Sequence, residues 1–191
     1  DGHVVAVDSV KAEDAKDMKL IVPKATAKKL ISMGVIDDVT LTYTKNSAVF
    51  KSDEYTIYTR LIEGKYFAYQ KMFTEGEINT CASRTALIGA MTRAKMCTEE
   101  KQPAVFEIEN DVLNISIKDK LADYQEQVPL QETVCKSIRL GFDSRLVLET
   151  LKAFTCDNIA LGFTSPRTPM IVEAEDSDMK AMVLPVAIRE A

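Results

Sequence analysis

The chain has no tryptophan and a single histidine, His3. One imidazole leaves no His-rich metal site, and it has no serine, cysteine or carboxylate partner in a recognisable motif, so His3 is expected to be structural or part of a pocket wall. GxxxxGK[ST], GxGxxG and HExxH are all missing, which removes the usual signatures of nucleotide cradles and zinc hydrolases. The four cysteines, Cys81, Cys97, Cys135 and Cys156, are widely spaced without a CxxC pair. That spacing points to neither a zinc site nor a disulfide framework, and reduced, mostly buried thiols are expected. No apolar run reaches the roughly 18 residues a membrane span needs. The first residues, DGHVVAVDSV, lack the basic flank and apolar stretch of a signal peptide, so a soluble, cytoplasmic protein is expected. No catalytic residue, metal or cofactor is assigned.

What is present is a folding sequence of 191 residues, 46% hydrophobic and 28% charged, with a net charge of −5. It is long enough to bury one full core and part of a second. A pattern of β-type run, helix and alternating β-rich stretches occurs three times. LIVP at 20–23 leads into KATAKKLISM, INTC at 78–81 into ASRTALIGAMTRAKM, and IRLGF at 138–142 into DSRLVLETLKAF. The starts at Leu20, Ile78 and Ile138 are 58 and 60 residues apart, a spacing typical of internal repeats. VTLTYT, SAVFKS and YTIYTRLI follow the first helix, AVFEIE, LNISI and YQEQVPL the second, and IALGFT, PMIVEAE and KAMVLPVAI the third. The unit reads β-α-β-β-β. One helix cannot cover such a sheet alone, so units should pair two by two. Glu75-Gly76 is the expected boundary, giving domains 1–75 and 76–191. Three units is an odd number, and a start at DGH without methionine is read as a fragment of a longer chain.

Ser83 and Asp143 or Ser144 are placed to cap the second and third helices, and Pro23 sits at or near the first position of the first. Over 23–33, 82–96 and 144–154 the basic residues are Lys24, Lys28, Lys29, Arg84, Arg93, Lys95, Arg145 and Lys152, against one acid, Glu149. An acidic protein has thus gathered positive charge on its helices. Any one such helix is ordinarily a solvated face; three together point to a phosphate-facing surface. No aromatic or amide side chains are interleaved at base-reading spacing, so contact independent of DNA sequence is expected. Two rival readings stay open. Asp37-Asp38, Glu99-Glu100 and Glu173, Glu175, Asp176 and Asp178 could serve a metal-dependent nuclease or phosphotransferase if they converged. Alternatively the chain is an interaction module with no DNA role.

Several segments carry a family likeness. Asp1-Gly2-His3 resembles TDGHR(L) of the bacterial DNA sliding clamps, the beta subunits of DNA polymerase III. LIVPKATAKKL resembles their VPRKA…EL helix, TRLIEGKYFAYQKMF at 59–73 their SKLIEGRFPDYRRVIP, and LGFDSRLVLETLKAF at 140–154 their IGFNxxYLLDALKAL. The end, Met182 to Val186, resembles VMPM. The sequence departs from the family where Val4 replaces an arginine, Phe67 a proline, and Gln70 and Lys71 two arginines.

The resemblance implies an α+β DNA-clamp fold with antiparallel sheets outside and helices lining the DNA side. Residues 1–75 would be the second half of the middle domain and 76–191 the C-terminal domain. It also implies a non-catalytic processivity factor encircling duplex DNA as a homodimeric ring when full length. DNA polymerase III subunits, the clamp loader and repair polymerases would bind through short peptides with glutamine, leucine and phenylalanine anchors. The matching pocket residues are Gly2, His3, Val5, Phe67, Met72, Leu146, Met182, Val183, Leu184, Pro185 and Val186. Strand alternation favours Met182, Leu184 and Val186 on one face.

Overall fold

The computed structural model describes residues 2–11, 17–34, 38–97, 102–118 and 123–188. In chain order its elements are β1 (Val4–Val7), α1 (Lys24–Ser32), β2 (Thr40–Tyr43), β3 (Ser47–Lys51), β4 (Thr56–Arg60), a 3-10 turn (Tyr69–Met72), β5 (Ile78–Ser83), α2 (Arg84–Met96), β6 (Ala104–Lys118), β7 (Asp123–Phe142), α3 (Ser144–Ala153), β8 (Asn158–Phe163), β9 (Met170–Ala174) and β10 (Lys180–Val183). Two compact units result, one of Asp1–Lys11 with Tyr69–Ala191 and the other of Ala12–Ala68.

In the larger unit seven antiparallel strands lie in the order β1-β10-β9-β8-β5-β7-β6. The two repeats here are interleaved. β5 opens one repeat and pairs with β8 of the other, Ile78 opposite Phe163 and Ser83 opposite Asn158. The end of β7 opens the second repeat and pairs with the start of β6 in the first, Ile138 opposite Ile108 and Phe142 opposite Ala104. Each leading strand therefore pairs with the strand that follows the other repeat's helix, and neither repeat completes its sheet alone.

The stretches AVFEIE and LNISI, expected as separate strands, form one 15-residue β6, and YQEQVPL runs on into IRLGF as the 20-residue β7. The break between them survives as an irregularity. Ile108 and Asn110 face Ile138 and Val134, so extra β7 residues bulge out, and Asn110 takes a φ of 56°. A bulge bends the strands without ending them.

Both helices start at side-chain caps. Ser83 accepts from the Ala86 N–H and Asp143 from the Arg145 N–H. A capping oxygen satisfies one of the amide donors that a first turn leaves unpaired. Leu87, Ala90, Met91 and Ala94 of α2 and Val147, Leu148 and Leu151 of α3 are buried in one cluster with Phe106, Phe142, Phe163, Leu161, Val172 and Val183. Phe106 and Phe142 meet edge to face at 5.1 Å.

The boundary differs from the one expected at 75/76. Residues 4–7, read from the sequence as part of the first domain, form β1 and complete the edge of the larger sheet, Val4 opposite Val183 and Val7 opposite Lys180. Four residues with apolar side chains on both faces find a free ladder there, and the 3-10 turn joins the same unit.

In the smaller unit β2, β3 and β4 form an antiparallel sheet. No strand forms at 20–23; Ile21 contributes one carbonyl, accepting from the Ile62 N–H at 2.9 Å. Proline at 23 has no N–H to give a ladder. It is the N-cap of α1 and supplies no side-chain cap. The helix is held to β4 by a hydroxyl pair, Thr26 with Thr59, at 2.7 Å.

Candidate functional site

Strand alternation gives the larger sheet two different faces. Val4, Ala6, Ala181, Val183, Met170 and Val172 point to the α2 and α3 side, as the register and the shared core show. Val5, Val7, Lys180, Met182, Ile171 and Glu173 point to the other. The Leu184 N–H donates to the His3 carbonyl at 2.9 Å, one further rung, so Leu184 shares the face of Met182. Pro185 cannot donate, and the ladder stops. Val186 leaves that strand and donates to the Gly141 carbonyl at 2.8 Å.

The expected pocket residues therefore divide. His3, Val5, Met182 and Leu184 share the outer face. Gly2, at φ 92°, begins the segment in a conformation glycine adopts freely. Met72, half-exposed, lies on the 3-10 turn next to Phe73, whose ring sits 5.2 Å from the Lys180 ammonium. Leu146 and Val183 are on the helix side. Val183 is completely buried in the core, and Met182, although its side chain is on the outer face, is only 2% exposed, so neither offers surface to a partner. Phe67 belongs to the smaller unit, where it stacks on Tyr66 and is 48% exposed. The expected single face for Met182, Leu184 and Val186 holds for the first two only.

Two apolar cavities take up the remaining residues. Pro185 and Val186 line one of about 490 Å³ with Leu140, Gly141, Ile188 and the two arginines Arg139 and Arg167. Leu146 lines another, of about 180 Å³, with Val4, Ala6, Ala153, Met179 and Ala181. The strand Val4–Val7 and its pairing with β10, which bring Val4 and Ala6 beside Leu146, were not foreseen from the sequence.

The basic helix residues divide as well. Arg84 is partly buried and structural, its Nε donating to the Cys156 carbonyl at 2.6 Å. Arg93 grips Glu126 with two hydrogen bonds, Nε to Oε2 at 2.8 Å and Nη2 to Oε1 at 2.5 Å. The Tyr124 hydroxyl lies 2.6 Å from the same carboxylate and 2.9 Å from the Ala90 carbonyl, fastening β7 to α2. The Arg93 bonds hold the Glu126 carboxyl below its usual range, while burial and the adjacent carboxylate push the Tyr124 hydroxyl well above its own. Arg145 pairs with its own cap, Asp143, at 3.2 Å. Burial works against the Asp143 charge, but hydrogen bonds from Arg145 outweigh it and keep the carboxyl low. Lys95 and Lys152 are exposed on α2 and α3. In the smaller unit Lys24, Lys28 and Lys29 are exposed on α1, which carries no acid.

The acids do not gather. Among the described residues no group of three or more His, Cys, Asp or Glu could hold a metal ion; Asp37, Glu99 and Glu100 lie outside the described residues. The four thiols are free, two of them buried. Burial and a hydrogen bond to Glu175 raise the Cys81 thiol to about 11, so it is an inert core thiol. No helix among the described residues is long and apolar enough to cross a membrane.

The family model for the DNA polymerase III beta subunit, C-terminal domain, matches residues 73–187. The chain belongs to this family. Among curated members, the beta sliding clamp of Staphylococcus aureus is 26% identical over 195 residues, covering 97% of this chain and 52% of its own length. That of Staphylococcus epidermidis is 23% identical over 194 residues with the same coverage. The chain thus spans about half the length of the curated relatives it matches. The DNA polymerase III beta chain of Streptococcus pneumoniae superimposes with a TM-score of 0.89 at 19% identity, covering 98% of this chain and 52% of that one. A Bartonella birtlesii sliding clamp bound to griselimycin gives 0.88 at 18%, covering 98% and 53%. At such identities these structures establish the α+β clamp fold. The interleaved repeats of residues 78–183 are how this sequence builds it.

Proposed function

We propose that the chain works as part of a sliding clamp, a non-catalytic processivity factor of DNA polymerase III that encircles duplex DNA in the cytoplasm and tethers partners through a peptide groove. The observation that carries this reading is the division of one sheet in a chain of this family. The helices α2 and α3, with Lys95, Arg145 and Lys152 exposed, cover one face, and an apolar strip with His3, Val5 and Leu184 occupies the other. DNA contact is to phosphates and independent of sequence, because lysine and arginine ends on a helix face carry no base-reading pattern. Residues 12–68 read as half of a middle domain, whose α1 adds Lys24, Lys28 and Lys29 to the basic set.

Polymerase subunits, the clamp loader and repair polymerases are the expected partners. A glutamine, leucine and phenylalanine peptide would seat its apolar anchors against Val5 and Leu184, beside the turn carrying Met72. Ring closure into a homodimer needs a further domain, as in the family's full-length chains. The groove is tested by fluorescence polarisation with a labelled clamp-binding peptide. Leu184→Asp should weaken a micromolar complex, worth about 8 kcal/mol, by at least about 1–3 kcal/mol by placing an unpaired charge against the anchors. Unchanged affinity in a folded variant would remove this strip from consideration.

A further inference from the structure

We propose that the lone repeat of residues 20–62 is completed by the same repeat of a second copy of this chain, residues 20–22 of each copy pairing antiparallel with β2 of the other. The inference concerns the smaller unit alone, and its failure would leave the peptide groove untouched.

The larger unit supplies the template. There each leading strand lies between the last strand of its own repeat and the strand that follows its mate's helix. The lone repeat makes the first of these contacts and lacks the second. Ile21, two residues before the N-cap Pro23, accepts from the Ile62 N–H at 2.9 Å. Gly141, two residues before the N-cap Asp143, accepts in the same way from the Val186 N–H at 2.8 Å. Neighbouring residues of an extended segment turn their N–H and C=O groups to opposite sides, so those of Leu20 and Val22 point away from β4. At the other edge of the sheet the Thr44 N–H donates to the Ser47 carbonyl. Bonded and non-bonded pairs alternate along an antiparallel ladder, so Leu41 and Tyr43 turn their backbone groups away from β3. Among the described residues nothing pairs with either outward row.

The two rows fit each other. In the larger unit the N-cap Ser83 faces Asn158, the first residue of β8. The same offset sets Pro23 opposite Thr40 of the second copy, Val22 opposite Leu41 and Leu20 opposite Tyr43. Both of the last two pairs join outward-pointing groups, and their side chains share a face. Ala82, Leu140 and Phe142, one or three residues before an N-cap, are buried with the helices, and Val22 and Leu20 hold those positions before Pro23. Tyr43 stands in one cross-strand row with Thr59, which bonds Thr26 of α1, so Tyr43 and Leu41 lie on the helix side as well. Val22 then extends the half-buried row of Leu41, Phe50 and Ile57. Neither LIV at 20–22 nor TLTY at 40–43 carries a charge, the common guard of a free edge.

The helix is incomplete in the same way. Ile31 lies eight residues after its N-cap, as Met91 and Leu151 do after theirs. Met91 and Leu151 are 0% and 1% exposed where α2 and α3 pack together, whereas Ile31 is 79% exposed. A single added strand would fill one edge and leave Ile31 in water. A second repeat related by a twofold axis fills both edges and covers Ile31, and another copy of this chain carries the matching open repeat.

Sedimentation equilibrium of the full chain from about 1 µM to about 300 µM should pass from the mass of one chain to that of two and stop there, because a closed twofold leaves no edge to extend. Ile31→Asp and Tyr43→Pro should each raise the dimer dissociation constant roughly tenfold or more, by burying a charge and by removing a ladder donor. Met96→Asp, at an equally exposed methionine of the larger unit, should leave it unchanged. Neither smaller-unit variant disturbs the single chain, since Ile31 is exposed and the outward Tyr43 N–H gives no bond to β3. Their urea midpoints at about 1 µM, where the chain is monomeric, should therefore match the parent's. A parent that stays monomeric throughout, assembly beyond the dimer, or a dimer that either smaller-unit variant leaves as tight as before would overturn the exchange.

Discussion

The helices α1 and α3 have similar lengths and similar basic decoration but different support. α3 starts at an aspartate cap and buries five residues, whereas α1 starts at a proline without a side-chain cap and buries none fully. The difference follows from the repeats. In residues 78–183 two units exchange strands, so each helix packs on a sheet built by both. Among the described residues of 12–68 a single unit has three strands and one helix, and its buried positions are small or hydroxyl-bearing side chains, Ala48, Ser52 and Thr59. A repeat of this kind obtains its core from its mate.

Apolar truncation should show the contrast most strongly. Leu151→Ala in α3, at a fully buried position, should cost about 2–5 kcal/mol in urea unfolding, while Ile31→Ala in α1, 79% exposed, should stay within about 0.5 kcal/mol. Equal losses would erase the distinction between the two units. Next in size is the cap. Asp143→Ala should destabilise the larger unit by about 1 kcal/mol. Because the folded Asp143 carboxyl is held below its unfolded value, that stabilisation is present above the unfolded carboxylate range, near pH 4, and is lost as pH falls through the lower folded value. Unfolding midpoints measured from pH 6 to pH 2 should therefore converge for the two proteins at the acid end, and a gap that widens there would contradict the assignment.

The smallest effects concern charge. Lys152→Ala should leave stability within about 0.5 kcal/mol but reduce the salt dependence of duplex binding by close to one phosphate contact. Arg93→Ala should change that slope less, since its guanidinium is already matched to Glu126. A larger effect at Arg93 than at Lys152 would show that the Glu126 pair does not hold it back from phosphate.

The same physics explains what could be foreseen. Helix starts at Ser83 and Asp143 were legible because capping chemistry is local. So were most strands, because alternation is local. The exchange of strands between repeats was not, since pairing is decided across 80 residues, and neither was the continuity of β6 and β7, where alternation breaks at Asn110 without ending the strand. The edge strand Val4–Val7 was missed because four apolar or small residues in a row show no alternation. Without it, residues 4–7 were grouped with the first domain, whereas they pair with β10 in the larger unit; Val183 entered the pocket set through the resemblance of Met182 to Val186 to the family's terminus. With Val4 set opposite Val183, the side each residue faces is fixed. Charge on the helices was countable in the sequence, but whether Arg84 and Arg93 faced outward depended on the Cys156 carbonyl and Glu126, both distant in the chain.

The central claim is that the two faces of one sheet have separate tasks, partner peptide on the outer face and DNA on the helix side. Hydrogen exchange followed by mass spectrometry on the full chain, with and without a saturating clamp-binding peptide, addresses it directly. The account predicts slowed exchange in residues 3–7 and 180–186 with no change across α2 and α3. Protection centred on α2 and α3, with residues 3–7 and 180–186 unchanged, would contradict it.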